Sequence, residues 1–264
     1  MARKATNELL QKAKKQKNDE FYTQLADIES ELQHYESHFK GKVVYCNCDD
    51  PHISNFFRYF VSRFKKLGLK KVIAACYKEQ HVDLFDAREN HHGFYFEYTG
   101  TELTGTDPKT ANIVYFKGDG DFRSAESIAL LKQSDIVVTN PPFSLFREYV
   151  AQLMRYEKKF LIIGNINAIT YKEIFNLIQD NKASLGVNLG RGISGFIVTA
   201  HYELYGTETK INELGERIIS PNNCLWLTNL DNFIRHEDIL LTKNYIGYEQ
   251  EYPKYDNYDG INVN

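Results

Sequence analysis

Short apolar runs alternate along this chain with segments whose apolar residues recur at helical spacing. An apolar run at 42–47 is followed by a helical pattern at 56–67 that stops at Gly68, and a second run follows at 72–77. Two strands joined by a helix form a right-handed unit with parallel strands. Because the alternation continues to residue 228, it predicts an α/β fold with a doubly wound, mostly parallel sheet and antiparallel pieces at its end.

The remaining elements follow from the same patterns. Further strands are predicted at 94–98, 113–116, 136–138, 160–164, 185–189, 196–199 and 225–228, and helices near 125–132 and 145–156. Asp27 is predicted to cap a helix that ends near Gly41, and Thr170-Tyr171-Lys172-Glu173 is predicted to open another as a capping box. No internal repeat and no low-complexity linker interrupts the pattern.

The strand Ile136-Val137-Val138 leads into Asn140-Pro141-Pro142-Phe143. Two prolines have fixed φ and no N–H donors, so this loop is stiff and its carbonyls can accept hydrogen bonds from a ligand. Asn140 adds a side-chain carbonyl, and Phe143 adds an aromatic face for a planar ring. Two acceptors beside a stacking surface suit the exocyclic amino group of a base. The alternative is an ordinary proline-rich turn, which these four residues in this order disfavour.

Composition limits the kind of protein. The 264 residues are enough for one large domain, or for a domain with a small appendage. No apolar run approaches the ~20 residues of a membrane span, and the N-terminus lacks the apolar centre of a signal peptide, so we expect a cytoplasmic protein without a membrane partner. The four cysteines include no pair of Cys-x-x-Cys motifs, so neither zinc nor a disulfide framework is expected, and no metal site is predicted.

The charge distribution bears on nucleic-acid binding. A net charge of −3 argues against a binder of phosphates, which needs clustered cations. The first seventeen residues nevertheless contain one acid, Glu8, and six cations: Arg3, Lys4, Lys12, Lys14, Lys15 and Lys17. This segment is either a basic arm that binds nucleic acid or a solvated, partly disordered terminus, and charge alone leaves both interpretations open.

Several segments together resemble one family. They are Lys17-Asn18-Asp19-Glu20-Phe21-Tyr22-Thr23, Val43-Val44-Tyr45-Cys46-Asn47-Cys48-Asp49-Asp50-Pro51, Gly118-Asp119-Gly120-Asp121-Phe122-Arg123-Ser124 and Ser220-Pro221-Asn222-Asn223-Cys224-Leu225-Trp226-Leu227. With the Asn-Pro-Pro-Phe loop, they resemble the adenine-specific DNA methyltransferases, and among these the EcoRI-type modification methylases. The likeness covers the whole chain, although family members continue beyond the position of Asn264, so we expect a C-terminally shortened version.

The resemblance implies a Rossmann-like methyltransferase sheet, S-adenosylmethionine as cofactor and double-stranded DNA as substrate. The methyl group would go to the exocyclic amino group of a flipped adenine, within GAATTC, in a restriction-modification system. We expect a monomer whose cognate restriction endonuclease shares the site and need not bind. Two alternatives stay open: methylation of RNA or of a protein glutamine, and a DNA-binding or regulatory module without turnover, because the usual glycines after the first strand are absent.

The resemblance and the strand-end positions also nominate site residues. The catalytic candidates are Asn140, Pro141, Pro142 and Phe143. The cofactor candidates are Phe21, Tyr22, Thr23, Asn47, Asp49, Asp50, Cys76, Tyr77, Asp119 and Asp121, and the nucleic-acid-binding candidates are Lys4, Lys12, Lys14, Lys15 and Arg191. Without the resemblance, an ordinary strand end explains the residues after the strand at 72–77 equally well, and a glycine-aspartate turn explains those after the strand at 113–116 equally well. The loop at Asp49 is then a capping turn, and Arg191 lies in a hairpin turn.

Three regions are expected. Residues 1–40 form the basic arm and a helix with the cofactor segment, residues 41–235 form the catalytic domain, and residues 236–264 form a tail that is a shortened target-recognition region. The tail contains Tyr245, Tyr248, Tyr252, Tyr255 and Tyr258. These rings could stack on DNA or pack on the core.

Overall fold

The structure is a computed structural model that describes residues 22–48, 50–77, 92–100, 112–188, 193–198, 209–212, 215–220, 223–238 and 245–261. Its strands are β1 (Tyr22–Thr23), β2 (Val43–Asn47), β3 (Lys71–Cys76), β4 (Phe94–Tyr98), β5 (Asn112–Tyr115), β6 (Ile136–Thr139), β7 (Lys159–Asn165), β8 (Ser184–Leu185), β9 (Phe196–Val198), β10 (Thr209–Ile211), β11 (Arg217–Ile219), β12 (Cys224–Thr228), β13 (Lys254–Tyr255) and β14 (Tyr258–Ile261).

The α-helices are α1 (Leu25–Leu32), α2 (Asn55–Ser62), α3 (Phe64–Leu67), α4 (Ala125–Gln133), α5 (Phe146–Arg155) and α6 (Lys172–Gln179). Short 3₁₀ segments occupy Gln33–Phe39, Phe143–Leu145, Ile166–Thr170, Phe233–His236 and Glu249–Glu251. None of the helices in the described ranges is long and apolar enough to cross a membrane.

The described residues form a central sheet of eight strands, whose order is β5-β4-β3-β2-β6-β7-β12-β8. The four inner strands β3, β2, β6 and β7 are parallel to one another. The outer pairings are antiparallel, so that β4 and β12 oppose the other six strands. The fold is therefore α/β with a large, mostly parallel central sheet, as predicted.

The position of the antiparallel strands differs in part from the prediction. The strand β12, which is antiparallel to β7 and β8, fits the expected antiparallel pieces, but β4 is a second antiparallel strand, next to the other edge of the sheet. The strands β4 and β5 are consecutive in the chain and adjacent in the sheet. Antiparallel neighbours can be joined without a crossover helix, so apolar patterning alone does not reveal their direction.

Packing on both faces fixes the sheet. Successive residues of a strand point to opposite faces, and β2 contributes Val44 and Cys46 to one apolar cluster and Val43 and Tyr45 to the other. The first cluster includes side chains of α1, α2 and α3, and the second includes side chains of α4, α5 and α6. Both faces of β2 are therefore covered, which is why this strand reads as an unbroken apolar run.

Two predicted helix starts are wrong. The helix α1 begins at Leu25, and Asp27 lies in its first turn, where its carboxylate accepts hydrogen bonds from the backbone N–H and the hydroxyl of Ser194. The helix α6 has Tyr171 as its N-cap, without a side-chain cap, and the Thr170 hydroxyl donates to the Asn167 carbonyl. The side chain of Asp27 is engaged by a tertiary contact and that of Thr170 by a 3₁₀ turn, so neither is available to cap its helix.

A second, antiparallel sheet has the order β1-β9-β11-β10. Its first pairing joins Tyr22 to Ile197 and Thr23 to Phe196. Residues far apart in the chain are thus neighbours, and the predicted N-terminal cofactor segment lies against the segment that follows the glycine-rich turn.

The chain divides into two compact units, Met1–Asp231 and Asn232–Asn264. The second unit contains the hairpin of β13 and β14. Within it, the rings of Tyr245 and Tyr252 lie 5.5 Å apart and those of Tyr255 and Tyr258 lie 6.2 Å apart between centroids. Four of the five tail tyrosines therefore form two ring pairs within this unit. The predicted region boundaries stay a prediction.

Candidate active site

The candidate site lies where the chain changes its winding direction across the sheet. From β2 the chain passes to β3 on one side, and from β6 it passes to β7 on the other side. Adjacent parallel strands whose connections leave in opposite directions open a crevice at their carboxyl ends, and ligands of such sheets bind there. Asn47 ends β2 and Asn140 follows β6, so one polar residue stands on each side of this crevice.

The Asn-Pro-Pro-Phe loop is a stiff extension of β6. Asn140 is 7% exposed, Pro141 is buried, and Phe143 is half-buried. The backbone N–H of Leu145 donates to the Pro142 carbonyl at 3.0 Å and closes the short 3₁₀ turn that starts at Phe143. This turn engages the Pro142 carbonyl, so the Pro141 carbonyl is the better candidate to accept from a ligand.

Phe143 has an aromatic neighbour from the second sheet. Its ring centroid lies 6.3 Å from that of Phe196, with the planes at 68°. In an edge-to-face pair, the edge of one ring contacts one face of the other ring. The remaining ring faces can therefore stack on a further planar group. Because Phe196 pairs with Thr23 through β1 and β9, the N-terminal segment and the candidate stacking ring belong to one packed group.

The end of β2 is tied down by hydrogen bonds. Asn47 is buried, its carbonyl accepts from the Thr139 hydroxyl, and its side-chain oxygen accepts from the Tyr149 hydroxyl. The next residue, Cys48, has φ 76°, in the left-handed region that favours glycine. The turn after β2 therefore adopts a glycine-like conformation although the sequence has no glycine there.

Asp50 stabilises the turn in which it lies by accepting hydrogen bonds from backbone N–H groups. Its carboxylate accepts from the His52 backbone N–H at 2.9 Å, and its carbonyl accepts from the N–H groups of Ile53 and Ser54. Ser54 is in turn the N-cap of α2. The capping interpretation of this loop is thus realised for Asp50, and a role toward a cofactor would be additional to it.

The ends of β3 and the loop after β5 come together. Gly120 has φ 80°, and a Cβ there would lie 2.6 Å from the Cys76 carbonyl oxygen, so only glycine allows this approach. Burial raises the pKa of Tyr77, and the nearby carboxylates of Asp119 and Asp121 raise it further. The structure therefore brings together the four residues that the sequence nominated at these two strand ends.

The two acids of this loop differ in their partners. Asp121 binds Arg123 through two side-chain contacts, of 2.9 Å to Nε and 2.6 Å to an Nη, and this arginine lowers the pKa of the carboxyl. Asp119 accepts only a local hydrogen bond, from the Asp121 backbone N–H, among the described residues. Asp119 is consequently the better candidate for contact with a ligand.

The N-terminal segment contributes a buried hydroxyl. Thr23 is 1% exposed, and its side-chain oxygen has no hydrogen-bond partner among the described residues. Its carbonyl accepts from the Asn55 side chain at 2.8 Å. A buried hydroxyl without a partner costs free energy that a bound polar ligand can return. The Thr23 hydroxyl, together with the side chains of Asn47 and Asp119, suits a ligand that has charged, hydroxyl and ring groups.

A polar face of α1 holds the segments around the glycine-rich turn, which the sequence did not reveal. Glu31 is fully buried, and its carboxylate accepts from the backbone N–H groups of Val187 and Asn188 at 2.7 and 2.9 Å. One turn earlier, Asp27 accepts from Ser194, and burial raises its pKa against the lowering effect of these hydrogen bonds. The only sequence signal was acids at helical spacing on an otherwise apolar face.

Some nominated residues lie outside the described residues: Phe21, Asp49, Lys4, Lys12, Lys14, Lys15 and Arg191. Within the described ranges, no group of three His, Cys, Asp or Glu side chains could hold a metal ion.

Comparison with known proteins identifies the family. The family model of adenine-specific methyltransferase EcoRI matches residues 9–264. Type II methyltransferase M.EcoRI of Escherichia coli is 65% identical over 267 residues, which cover all of this chain and 81% of that protein. Type II methyltransferase M.MpnI of Mycoplasma pneumoniae is 38% identical over 96% of this chain and 74% of its own length.

A third relative, Type II methyltransferase M.MgeORF184P of Mycoplasma genitalium, is 37% identical over 96% of this chain and 74% of its own length. No solved structure gives a significant match. The match covers nearly the whole chain, and the resemblance seen in the sequence is confirmed. The chain belongs to the EcoRI family of adenine-specific methyltransferases.

Proposed function

We propose that this enzyme transfers a methyl group from S-adenosylmethionine to the exocyclic amino group of an adenine in duplex DNA. The relatives are named Type II methyltransferases, which supports a role in a restriction-modification system. GAATTC is the proposed target, with the adenine flipped out of the duplex into the crevice between β2 and β6. A cognate endonuclease would share this site without binding the monomeric methyltransferase.

The observation that carries the proposal is the position of Asn140-Pro141-Pro142-Phe143 at the end of β6, beside the switch point. The Asn140 side-chain oxygen and the Pro141 carbonyl would accept the two hydrogens of the amino group. This arrangement keeps the nitrogen lone pair available and polarises the amino group without a general base. Phe143 would stack on the flipped base, so that catalysis depends mainly on positioning.

The cofactor would be held by the strand ends on the β2 and β3 side of a doubly wound, Rossmann-like sheet. Bound S-adenosylmethionine supplies an electrophilic methyl group. Asn47 and the loop at Asp49 and Asp50 would hold its charged amino-acid end, and Tyr22, Thr23 and Phe21 would line the same pocket. We propose that Cys76 and Tyr77 pack against the adenine of the cofactor and that Asp119, rather than Asp121, binds it.

DNA would be bound by the N-terminal arm and by the glycine-rich turn. The proposed contacts to phosphate are Lys4, Lys12, Lys14, Lys15 and Arg191, within a chain divided into an arm at 1–40, a catalytic domain at 41–235 and a tail at 236–264. Such contacts make affinity depend steeply on salt.

Incubation of the protein with labelled S-adenosylmethionine and a set of duplexes tests this function. We expect label on an adenine amino group of the GAATTC duplex, little label on a duplex with that site scrambled, and no competition from RNA of equal length. Label on RNA or on protein glutamine in place of DNA would overturn the substrate, and cofactor binding without transfer to any duplex would favour a module without turnover.

A further inference from the structure

Asn47, at the end of β2, receives two hydrogen bonds from residues on the other side of the switch point. It is 5% exposed, its carbonyl accepts from the Thr139 hydroxyl, and its side-chain oxygen accepts from the Tyr149 hydroxyl. Both donors are fully buried. Since buried polar groups are costly unless they are paired, these two contacts fix the backbone and the side chain of Asn47 independently.

The Thr139 contact continues the pairing of the two strands to their ends. Parallel pairing joins Val44 to Ile136 and Tyr45 to Val137, and the same register places Asn47 beside Thr139. At that level the Thr139 side chain provides the hydrogen bond between the strands. Thr139 is the residue immediately before Asn140, so the spacing between the two crevice walls is set at this point.

The Tyr149 contact comes from the helix that follows the catalytic loop. Tyr149 lies on the buried face of α5, which begins three residues after Phe143. Burial raises the pKa of Tyr149 well above its usual range, which keeps the hydroxyl protonated as a donor. The Cys48 thiol also lies within hydrogen-bonding reach of this hydroxyl. The helix thus connects the catalytic loop with the end of β2.

The direction of this hydrogen bond determines what Asn47 can offer a ligand. A carboxamide has its acceptor oxygen and its donor nitrogen on opposite sides of one carbon. Because the oxygen faces the Tyr149 hydroxyl, the NH₂ group is turned away from it. An NH₂ group suits an anionic or carbonyl acceptor, and it is unsuited to an ammonium group.

We propose that Tyr149 is a positioning residue, which orients the Asn47 amide so that its NH₂ group donates to the carboxylate of the cofactor's methionine moiety. This inference rests on the proposed function, because it assumes that the cofactor binds at the end of β2. Tyr149 itself touches neither cofactor nor DNA, and it acts only through Asn47. The sequence contains no signal for this role, since Tyr149 reads as one apolar position of an amphipathic helix.

The test compares two substitutions that each remove one buried hydroxyl. Tyr149→Phe removes the donor to Asn47, and Tyr45→Phe is the matched control, since Tyr45 lies two residues before Asn47 on the same strand and in the same apolar cluster as Tyr149. Binding of S-adenosylhomocysteine, which has the same carboxylate, is measured by calorimetry. We expect about a tenfold weaker affinity for Tyr149→Phe, as one lost hydrogen bond implies, and less than about a twofold change for the control.

A double-substitution cycle separates positioning from general loss of packing. In an Asn47→Ala background, Tyr149→Phe should change the affinity less than about twofold, because the residue through which it acts is gone. Asn47→Asp should bind more weakly than Asn47→Ala, since a carboxylate there faces the carboxylate of the ligand. Thermal melting of each variant shows that the protein is folded at the assay temperature.

Three results would overturn the inference. They are equal affinities of Tyr149→Phe and Tyr45→Phe, an undiminished effect of Tyr149→Phe in the Asn47→Ala background, and tighter binding by Asn47→Asp, which would place the ammonium group there. These outcomes leave the proposed function intact when the unsubstituted chain binds S-adenosylhomocysteine and methylates duplex DNA. An unsubstituted chain that does neither contradicts the proposed function as well.

Discussion

Removal of the Glu31 carboxylate should destabilise the fold far more than removal of a partly exposed acid on the same helix. Its Oε1 accepts from the Tyr35 hydroxyl at 3.0 Å and from the Val187 N–H at 2.7 Å, and its Oε2 accepts from the backbone and side-chain nitrogens of Asn188 at 2.9 and 3.0 Å. Hydrogen bonds to charged groups contribute roughly 1.5–3 kcal/mol each. Their simple sum is too large, because water can reach the half-buried Val187 and Asn188 after the substitution.

We therefore expect Glu31→Ala to lower the free energy of unfolding by about 3–5 kcal/mol, because it leaves several neutral donors unpaired, at about 1–3 kcal/mol for each one that stays out of reach of water. Glu31→Gln keeps one acceptor oxygen and should cost about 1–2 kcal/mol. The control is Glu29→Ala, which breaks an ion pair of 2.9 Å with Arg63 in which both side chains are partly exposed, and which should cost less than about 1 kcal/mol.

The assay is urea unfolding followed by tryptophan fluorescence. The chain has one tryptophan, Trp226, which is 1% exposed. Its carbonyl accepts from the Gly186 N–H at 2.9 Å, next to the segment that Glu31 holds. The signal therefore comes from the region under test. If the free energy of unfolding of Glu31→Ala lies within about 1 kcal/mol of that of Glu29→Ala, the reasoning is refuted.

Other predictions concern the site. Phe143→Ala should weaken methyl transfer to a paired adenine by about 10- to 100-fold, because ~1–3 kcal/mol of base stacking is lost. A mismatched adenine should recover part of this loss, and Phe143→Tyr should retain most activity. The fluorescence rise of an adenine analogue at the target position measures base flipping. Burial raises the Asp27 pKa above its ordinary value of 3.8, so the unfolding free energy should fall as pH rises from there through the raised pKa, and Asp27→Asn should remove that slope in urea unfolding at stepwise pH. Asp119→Asn should weaken binding of S-adenosylhomocysteine in calorimetry more than Asp121→Asn does, because Asp121 is engaged by Arg123; the reverse order would assign the contact to Asp121.

Much of the sheet could be predicted from local patterns. The strand predicted at 94–98 has those bounds in the structure, and those predicted at 136–138 and 225–228 differ by one residue at one end. These strands are apolar over their whole length or alternate clearly, and burial alone explains both patterns. Strand direction could not be predicted for β4, because it depends on which neighbour it pairs with.

The parts of the site that could be predicted are those whose chemistry is local. Asn140 and Phe143 stand on one stiff loop, and their order in the sequence already implies their arrangement. The role of Glu31 depends on residues about 156 positions away in the chain, and that of Tyr149 on a residue 102 positions away. No local pattern contains such contacts, which arise only from the packing of α1 and α5 on the sheet.

Single-turnover methylation by the unsubstituted chain and by Asn140→Ala, on a GAATTC duplex, tests the central claim most directly. We predict a fall of about 100-fold or more in the rate of transfer for Asn140→Ala, with S-adenosylhomocysteine affinity unchanged, because the residue acts on the amino group in the reacting complex. Asn176→Ala, an exposed position on α6, is the control and should methylate as the unsubstituted chain does. Near-normal transfer by Asn140→Ala would contradict the assignment of the catalytic site to the end of β6.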